Sequence, residues 1–164
     1  MLRVGVITAS DKGSRGERED VSGAVLRELV KQIGGEVVEY ALLPDDRLLI
    51  AQTMRIWADE NRVDLLLTTG GTGFSQRDVT PEATLDVAER LVPGIAEVMR
   101  AESLKVTARA MLSRATSAIR GHTLIINMPG SAKAVRECWA AIAPALPHGL
   151  EILKGEASEC GAIQ

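Results

Sequence analysis

Apolar residues fall into two alternating rhythms along this chain. Short runs at 3–9, 36–42, 64–69 and 123–127 are rich in Val, Ile and Leu and have the length of strands. Between them, apolar positions recur at helical spacing. Val21, Val25, Leu29 and Ile33 form one such stripe, which stops at Gly34-Gly35. Leu49, Ile50, Thr53, Met54 and Trp57 form a second, and Val135, Cys138, Trp139 and Ile142 a third. The 64–69 run is apolar on both faces, as a central parallel strand must be. The segment 10–20 reads as a polar loop, and Pro44-Asp45-Asp46 as a turn with an aspartate placed to cap the next helix. Thr80-Pro81 predicts another helix start, threonine as cap and proline at the first helical position. That helical pattern breaks at Val92-Pro93-Gly94 and resumes to about residue 106. Pro144 and Pro147 set off a final helical stretch, and residues 156–164 read as a loose tail.

Alternating strands and helices predict a single three-layer α/β domain over residues 1–155, with a mostly parallel sheet flanked by helices. Ligands of such sheets bind beyond the carboxyl ends of the strands. The unusual residues of this chain fall there: Ser10-Asp11, Pro44-Asp45, residues 70–73, and Pro129-Gly130-Ser131, each just after a strand. Four loops from distant parts of the sequence are thus expected to meet on one edge.

Composition narrows the chemistry. Of 164 residues, 46% are hydrophobic and 25% charged, and the only aromatics are Trp57, Trp139, Tyr40 and Phe74, so the core is aliphatic. Net charge is −3 with no basic block, which argues against nucleic-acid binding, where clustered Lys and Arg neutralise phosphates. Cys138 and Cys160 form no CxxC pair; Cys138 lies on an apolar helix face and reads as a buried thiol. No apolar run nears the ~20 residues of a spanning helix, and the first strand begins too early to leave room for a signal peptide. The expectation is a cytoplasmic protein with no membrane partner.

The densest chemistry lies in Thr69-Gly70-Gly71-Thr72-Gly73-Phe74, with Arg77-Asp78-Val-Thr-Pro81-Glu82 just beyond. Glycines let backbone N–H groups approach phosphate oxygens closely. This turn is neither a Walker loop, which needs a following lysine, nor a GxGxxG fingerprint, since Gln76 stands where the last glycine belongs. Carboxylates repel phosphates, so Asp45 and Asp78 make sense only if a divalent cation sits between them and the substrate. Asp45 directly follows a strand, and Asp78 occupies no cap position. Glu82 suits the positive end of its helix. Phe74 either stacks on a flat heterocycle or plugs the top of the core. Ser113 and Arg114 offer a hydroxyl and a guanidinium for phosphate, whereas Lys133 reads as a solvated side chain. His122 and His148 have no partner spacing for a metal or a triad.

Taken together, Thr8-Ala-Ser10-Asp11, Asp20-Val-Ser22-Gly23, Leu43-Pro-Asp45-Asp46, the 68–73 glycine turn, the 77–82 segment, Met111-Leu-Ser113-Arg114 and Asn127-Met-Pro-Gly-Ser131 resemble the molybdopterin adenylyltransferase family. That family includes the MogA and MoaB proteins, the plant Cnx G domain and the gephyrin G domain. The likeness covers nearly the whole chain to about Gly155. It implies the MogA/MoaB-like fold, usually a homotrimer, and transfer of AMP from ATP to molybdopterin with Mg2+. Asp45 and Asp78 correspond to acids associated with catalysis there and would be the metal ligands. Substrate-binding roles are implied for Ser10, Asp11, Asp20, Ser22, Gly23, Thr69, Gly70, Gly71, Thr72, Gly73, Phe74, Glu82, Ser113, Arg114, Pro129, Gly130 and Ser131. Implied partners are molybdopterin, ATP and the molybdate-inserting enzyme of the pathway. That enzyme carries a similar glycine loop, but with further domains for which 164 residues leave no room. The alternative is a catalytically silent pterin-binding or scaffolding module, which has no use for the two acids.

Overall fold

The structure is a computed structural model, and residues 1–156 are described; the 157–164 part of the expected tail, Cys160 included, lies outside them. β1 (Leu2–Ala9) is followed by the short helix α1 (Asp11–Ser14), α2 (Val21–Leu29) and β2 (Gly35–Leu43). Next come α3 (Arg47–Asp59), β3 (Leu65–Thr69), α4 (Thr80–Val87), β4 (Arg90–Leu91) and α5 (Pro93–Leu104). β5 (Ser117–Arg120), β6 (Thr123–Met128), α6 (Ala132–Ile142) and α7 (Leu146–Lys154) complete the domain. The strands form one sheet in the order β2-β1-β3-β6-β5-β4.

β2, β1, β3 and β6 run parallel, with Val4 opposite Leu65 and Leu67 opposite Ile126. Strand alternation sorts their side chains into two cores. Val4, Val6, Leu65, Leu67, Leu124 and Ile126 face a cluster with α2, α5, α6 and α7. Ile7, Leu66 and Ile125 face the other, with Ile50, Met54 and Trp57 of α3 and Ala83 and Val87 of α4. The three expected layers are present, and all five residues of β3 are buried. The third helical stripe is buried in full, Val135, Cys138, Trp139 and Ile142 together. In the second stripe Leu49 is exposed.

Three local expectations need correction. Residues 10–20 are not all loop: the Ser10 hydroxyl accepts from the Gly13 N–H at 2.9 Å and starts α1. β4 and β5 add an antiparallel edge, β5 against β6 and β4 against β5. Thr80 is the first residue of α4 rather than its cap; Val79 holds that position without a side-chain hydrogen bond. The capping aspartate after β2 is Asp46, which accepts from the Leu49 N–H at 2.9 Å.

Candidate active site

Parallel strands deliver their following loops to one edge, and the loops after β1, β2, β3 and β6 meet there around a cleft of about 440 Å³. Ser10, Asp45, Gly70, Gly71, Asp78 and Gly130 all line it. Asp20, Ser22 and Thr69 line it too. A second, largely apolar hollow of about 300 Å³ opens on the other flank of the glycine turn, where Thr72, Gly73, Ser113 and Pro129 contribute to its wall. The turn therefore divides two recesses.

Its backbone explains its glycines. Gly70 and Gly71 adopt φ of 92° and 69°, the left-handed region that L side chains avoid. A Cβ on Gly70 would also lie 2.4 Å from the Ala9 carbonyl oxygen. Fastening is equally specific: Thr69 Oγ1 donates to the Pro129 carbonyl at 2.7 Å, joining the loops after β3 and β6. The Arg114 N–H donates to the Thr72 carbonyl at 2.9 Å, and the Thr80 N–H to the Gly71 carbonyl at 3.1 Å.

Asp45 is half-buried, and its Oδ2 accepts from the Asp11 N–H at 2.9 Å. In return Asp11 Oδ1 accepts from the Asp45 N–H at 3.0 Å. Burial pushes the Asp45 carboxyl above its ordinary range, and the neighbouring charges of Asp11 and Asp78 add to that shift. Asp11 is the contrasting case. The Arg77 guanidinium grips both its oxygens at 2.9 Å and, with the Asp45 N–H, holds its carboxyl down at about 2. Asp78 Oδ2 accepts from the Ser75 N–H at 2.9 Å, so the acid folds back over the turn it follows.

Several expected ligand groups are engaged with the protein itself. Asp20 caps α2 by accepting from the Gly23 N–H at 2.9 Å, and also accepts from Thr8 Oγ1 at 2.8 Å and Tyr40 Oη at 2.5 Å. Burial, then the Asp20 carboxylate, pushes the Tyr40 hydroxyl up to about 12. The Thr69 hydroxyl proton is committed to Pro129 and is not offered to a phosphate. Arg114 does not point into either recess: it donates to the Gly73 carbonyl at 2.7 Å and the Asp78 carbonyl at 2.8 Å, and pairs with Glu82. Glu82 is thus a counter-ion that holds Arg114, beyond any service to its helix. Ser131 caps α6 by accepting from the Ala134 N–H at 3.2 Å. Asp11, Gly23, Phe74, Glu82, Arg114 and Ser131 line neither recess. Phe74 is 70% exposed, so it does not plug the core.

Other residues at this edge escaped the sequence reading. Thr8 lines the larger cleft, and Arg77 clasps Asp11. Asn127 is buried under the site, donating to Thr68 Oγ1 at 3.1 Å and Thr84 Oγ1 at 2.8 Å, which pins α4 to β3 and β6. Asn127 and Arg77 both stand inside recognisable motifs, so the signal was present. Their partners were not, because each pairing spans distant segments.

An open α/β sheet with a left-handed glycine pair and two acids lining a cleft at its carboxyl edge has its candidate ligand site where such sheets bind their ligands. The family model described as "Probable molybdopterin binding domain" matches residues 5–148, and the chain belongs to that family. A molybdopterin adenylyltransferase from Helicobacter pylori is 42% identical over 94% of this chain and 89% of its own length. The crystal structure of the molybdopterin biosynthesis enzyme MoaB from Thermus thermophilus superposes with a TM-score of 0.90 at 47% identity, covering 97% of this chain and all of that one. The tungsten cofactor synthesizing protein MoaB from Pyrococcus furiosus gives 0.84 at 34% identity, over 94% and 98%.

Proposed function

We propose that this chain is a molybdopterin adenylyltransferase of molybdenum cofactor biosynthesis, moving AMP from Mg-ATP to the terminal phosphate of molybdopterin and releasing pyrophosphate. The observation that carries the reading is the pairing of Asp45 and Asp78 across the same cleft as the Gly70-Gly71 turn. A phosphate binder alone gains nothing from two acids.

The residues fit a magnesium ion that arrives with its nucleotide. Mg2+ takes one or two carboxylates and fills its shell with water and substrate phosphate oxygens. Asp45 and Asp78 supply two such carboxylates. Among the described residues no group of three His, Cys, Asp or Glu could hold an ion alone. When bound, the ion would neutralise charge on the phosphates being exchanged. The protein's share is alignment. Amides of the 70–73 turn face phosphate oxygens, while Asp11 and Arg77 hold Asp45 in place. An oxygen of the pterin's phosphate forms its bond to the α-phosphorus, and the bond to the β-phosphate oxygen breaks, so pyrophosphate carries the electron pair away. The two recesses suit two substrates meeting at the turn: the polar cleft the nucleotide, the apolar hollow the pterin. A homotrimer in the cytoplasm, with the molybdate-inserting enzyme next in line, completes the proposal; among the described residues no helix is long and apolar enough to cross a membrane.

Purified protein incubated with molybdopterin and Mg-ATP should yield adenylylated pterin and pyrophosphate. Asp78→Asn should keep the fold and lose pyrophosphate release; normal turnover in that variant removes Asp78 from the mechanism.

A further inference from the structure

Thr80 opens α4 directly behind the glycine turn. Its backbone is fully used, the N–H donating to the Gly71 carbonyl at 3.1 Å and the carbonyl accepting from Thr84 Oγ1 at 3.0 Å. Its side chain is completely buried, yet Oγ1 has no hydrogen-bond partner among the described residues. A hydroxyl in that position lowers stability, because the bond it made to water is not replaced. Valine has the same shape without the penalty.

Among the described residues three buried side-chain oxygens lack a partner: Thr80 Oγ1, Ser117 Oγ and Glu82 Oε2. Ser117 belongs to β5, and the other oxygen of Glu82 is held by Arg114. Of the three, Thr80 Oγ1 is the one that borders the reacting groups. A Cβ placed on Gly71 would lie 2.4 Å from it and 3.3 Å from Asp45 Oδ1, so both oxygens face the same side of the turn. Asp45 Oδ2 is already fixed by the Asp11 N–H, which leaves Oδ1 turned toward Gly71 and Thr80. One oxygen carries a proton with no acceptor; the other is an acceptor at the centre of the site. Glycine at 71 keeps the space between them free of a side chain.

We propose that Thr80 is a positioning residue for adenylyl transfer: with Mg-ATP in the cleft its hydroxyl donates to Asp45 Oδ1 and fixes that carboxylate in its working orientation. This rests on the adenylyltransferase reading and adds a residue to it. Thr80 touches no substrate. The bond forms only as Asp45 turns toward its ligand, so it favours the loaded state over the free one.

The test compares wild type, Thr80→Val and Thr80→Ser in the full chain, by melting temperature with and without Mg-ATP and by kcat and KM for molybdopterin. Without ligand, T80V should melt at or above the wild-type temperature. Its rise on adding Mg-ATP should shrink, and kcat should fall about tenfold or more with KM for molybdopterin within about threefold. T80S should recover most of both losses. A T80V variant matching wild type in kcat and Mg-ATP shift overturns the inference. So does one melting well below wild type, which would show the hydroxyl bonded within the fold, or a T80S variant no better than T80V. A wild type that neither responds to Mg-ATP nor adenylylates the pterin overturns the function itself, and this residue's role with it.

Discussion

Asp20 and Asp45 line the same cleft, and their surroundings are opposite. Asp20 accepts from three donors, the Gly23 N–H and the hydroxyls of Thr8 and Tyr40, and so ties α2 to β1 and β2. Asp45 is held on one oxygen by the Asp11 N–H, and burial, with the like charges of Asp11 and Asp78 adding to it, raises its carboxyl. The Asp20 carboxylate is spent on donors of the fold, whereas Asp45 Oδ1 is the oxygen the proposed function leaves to a ligand. The contrast in hydrogen-bond partners is a difference that membership in a motif does not reveal.

Substitution should split the two acids cleanly. Asp45→Asn should lower adenylyl transfer by about 10³-fold, the scale for removing a group that stabilises transition-state charge. It should leave melting at neutral pH unchanged or higher. The sign follows from linkage: a carboxyl raised in the folded state binds its proton more tightly there than in the unfolded chain. Ionising it, as pH climbs from about 4 through its raised value, erodes stability, and asparagine removes that loss. Melting curves of wild type and variant across pH 4 to 8 check this; a large drop in the variant would break the contrast. For the same reason, wild-type activity should fall on the acid side above the ordinary carboxylate range, as a pH–rate profile would show.

Arg114→Gln should come next. It removes donors to the Gly73 and Asp78 carbonyls and leaves Glu82 without its counter-ion, at about 2–3 kcal/mol in denaturant unfolding. Asp20→Ala should cost about 2 kcal/mol through the lost cap and the stranded Thr8 and Tyr40 hydroxyls, while the folded fraction keeps activity within about tenfold. Complete loss of activity in a well-folded D20A protein would place Asp20 with Asp45 after all. Ser131→Ala, which removes only the α6 cap, should cost about 1 kcal/mol by the same measurement and leave kcat unchanged.

What the sequence revealed follows the physics of each element. β1, β3 and β6 are continuous apolar runs because they are buried on both faces, and α6 shows its stripe because one side alone meets the core. β4 and β5 were invisible: one is two exposed residues, the other four residues with Ser117 and Ala118 buried on opposite faces, too short for a period to register. Thr80 reads locally as a cap, yet packing draws it inside the helix and buries its hydroxyl. Asp45 and Asp78 stood out because neither reads as a helix cap, although each also braces backbone, Asp78 at Ser75 and Asp45 at Asp11. The fates of Arg114, Thr69 and Asp20 did not, since a guanidinium or hydroxyl near a glycine turn looks alike whether it meets a phosphate or a carbonyl from a distant segment.

The reciprocal bonds between Asp11 and Asp45, each side chain taking the other's backbone N–H, join two loops into one unit. A cation drawing charge from the Asp45 carboxylate should weaken the bond that its Oδ2 accepts from the Asp11 amide, at the first residue of α1. Exchange of that single amide with deuterium should thus act as a built-in reporter of cleft occupancy, readable without following the reaction at all.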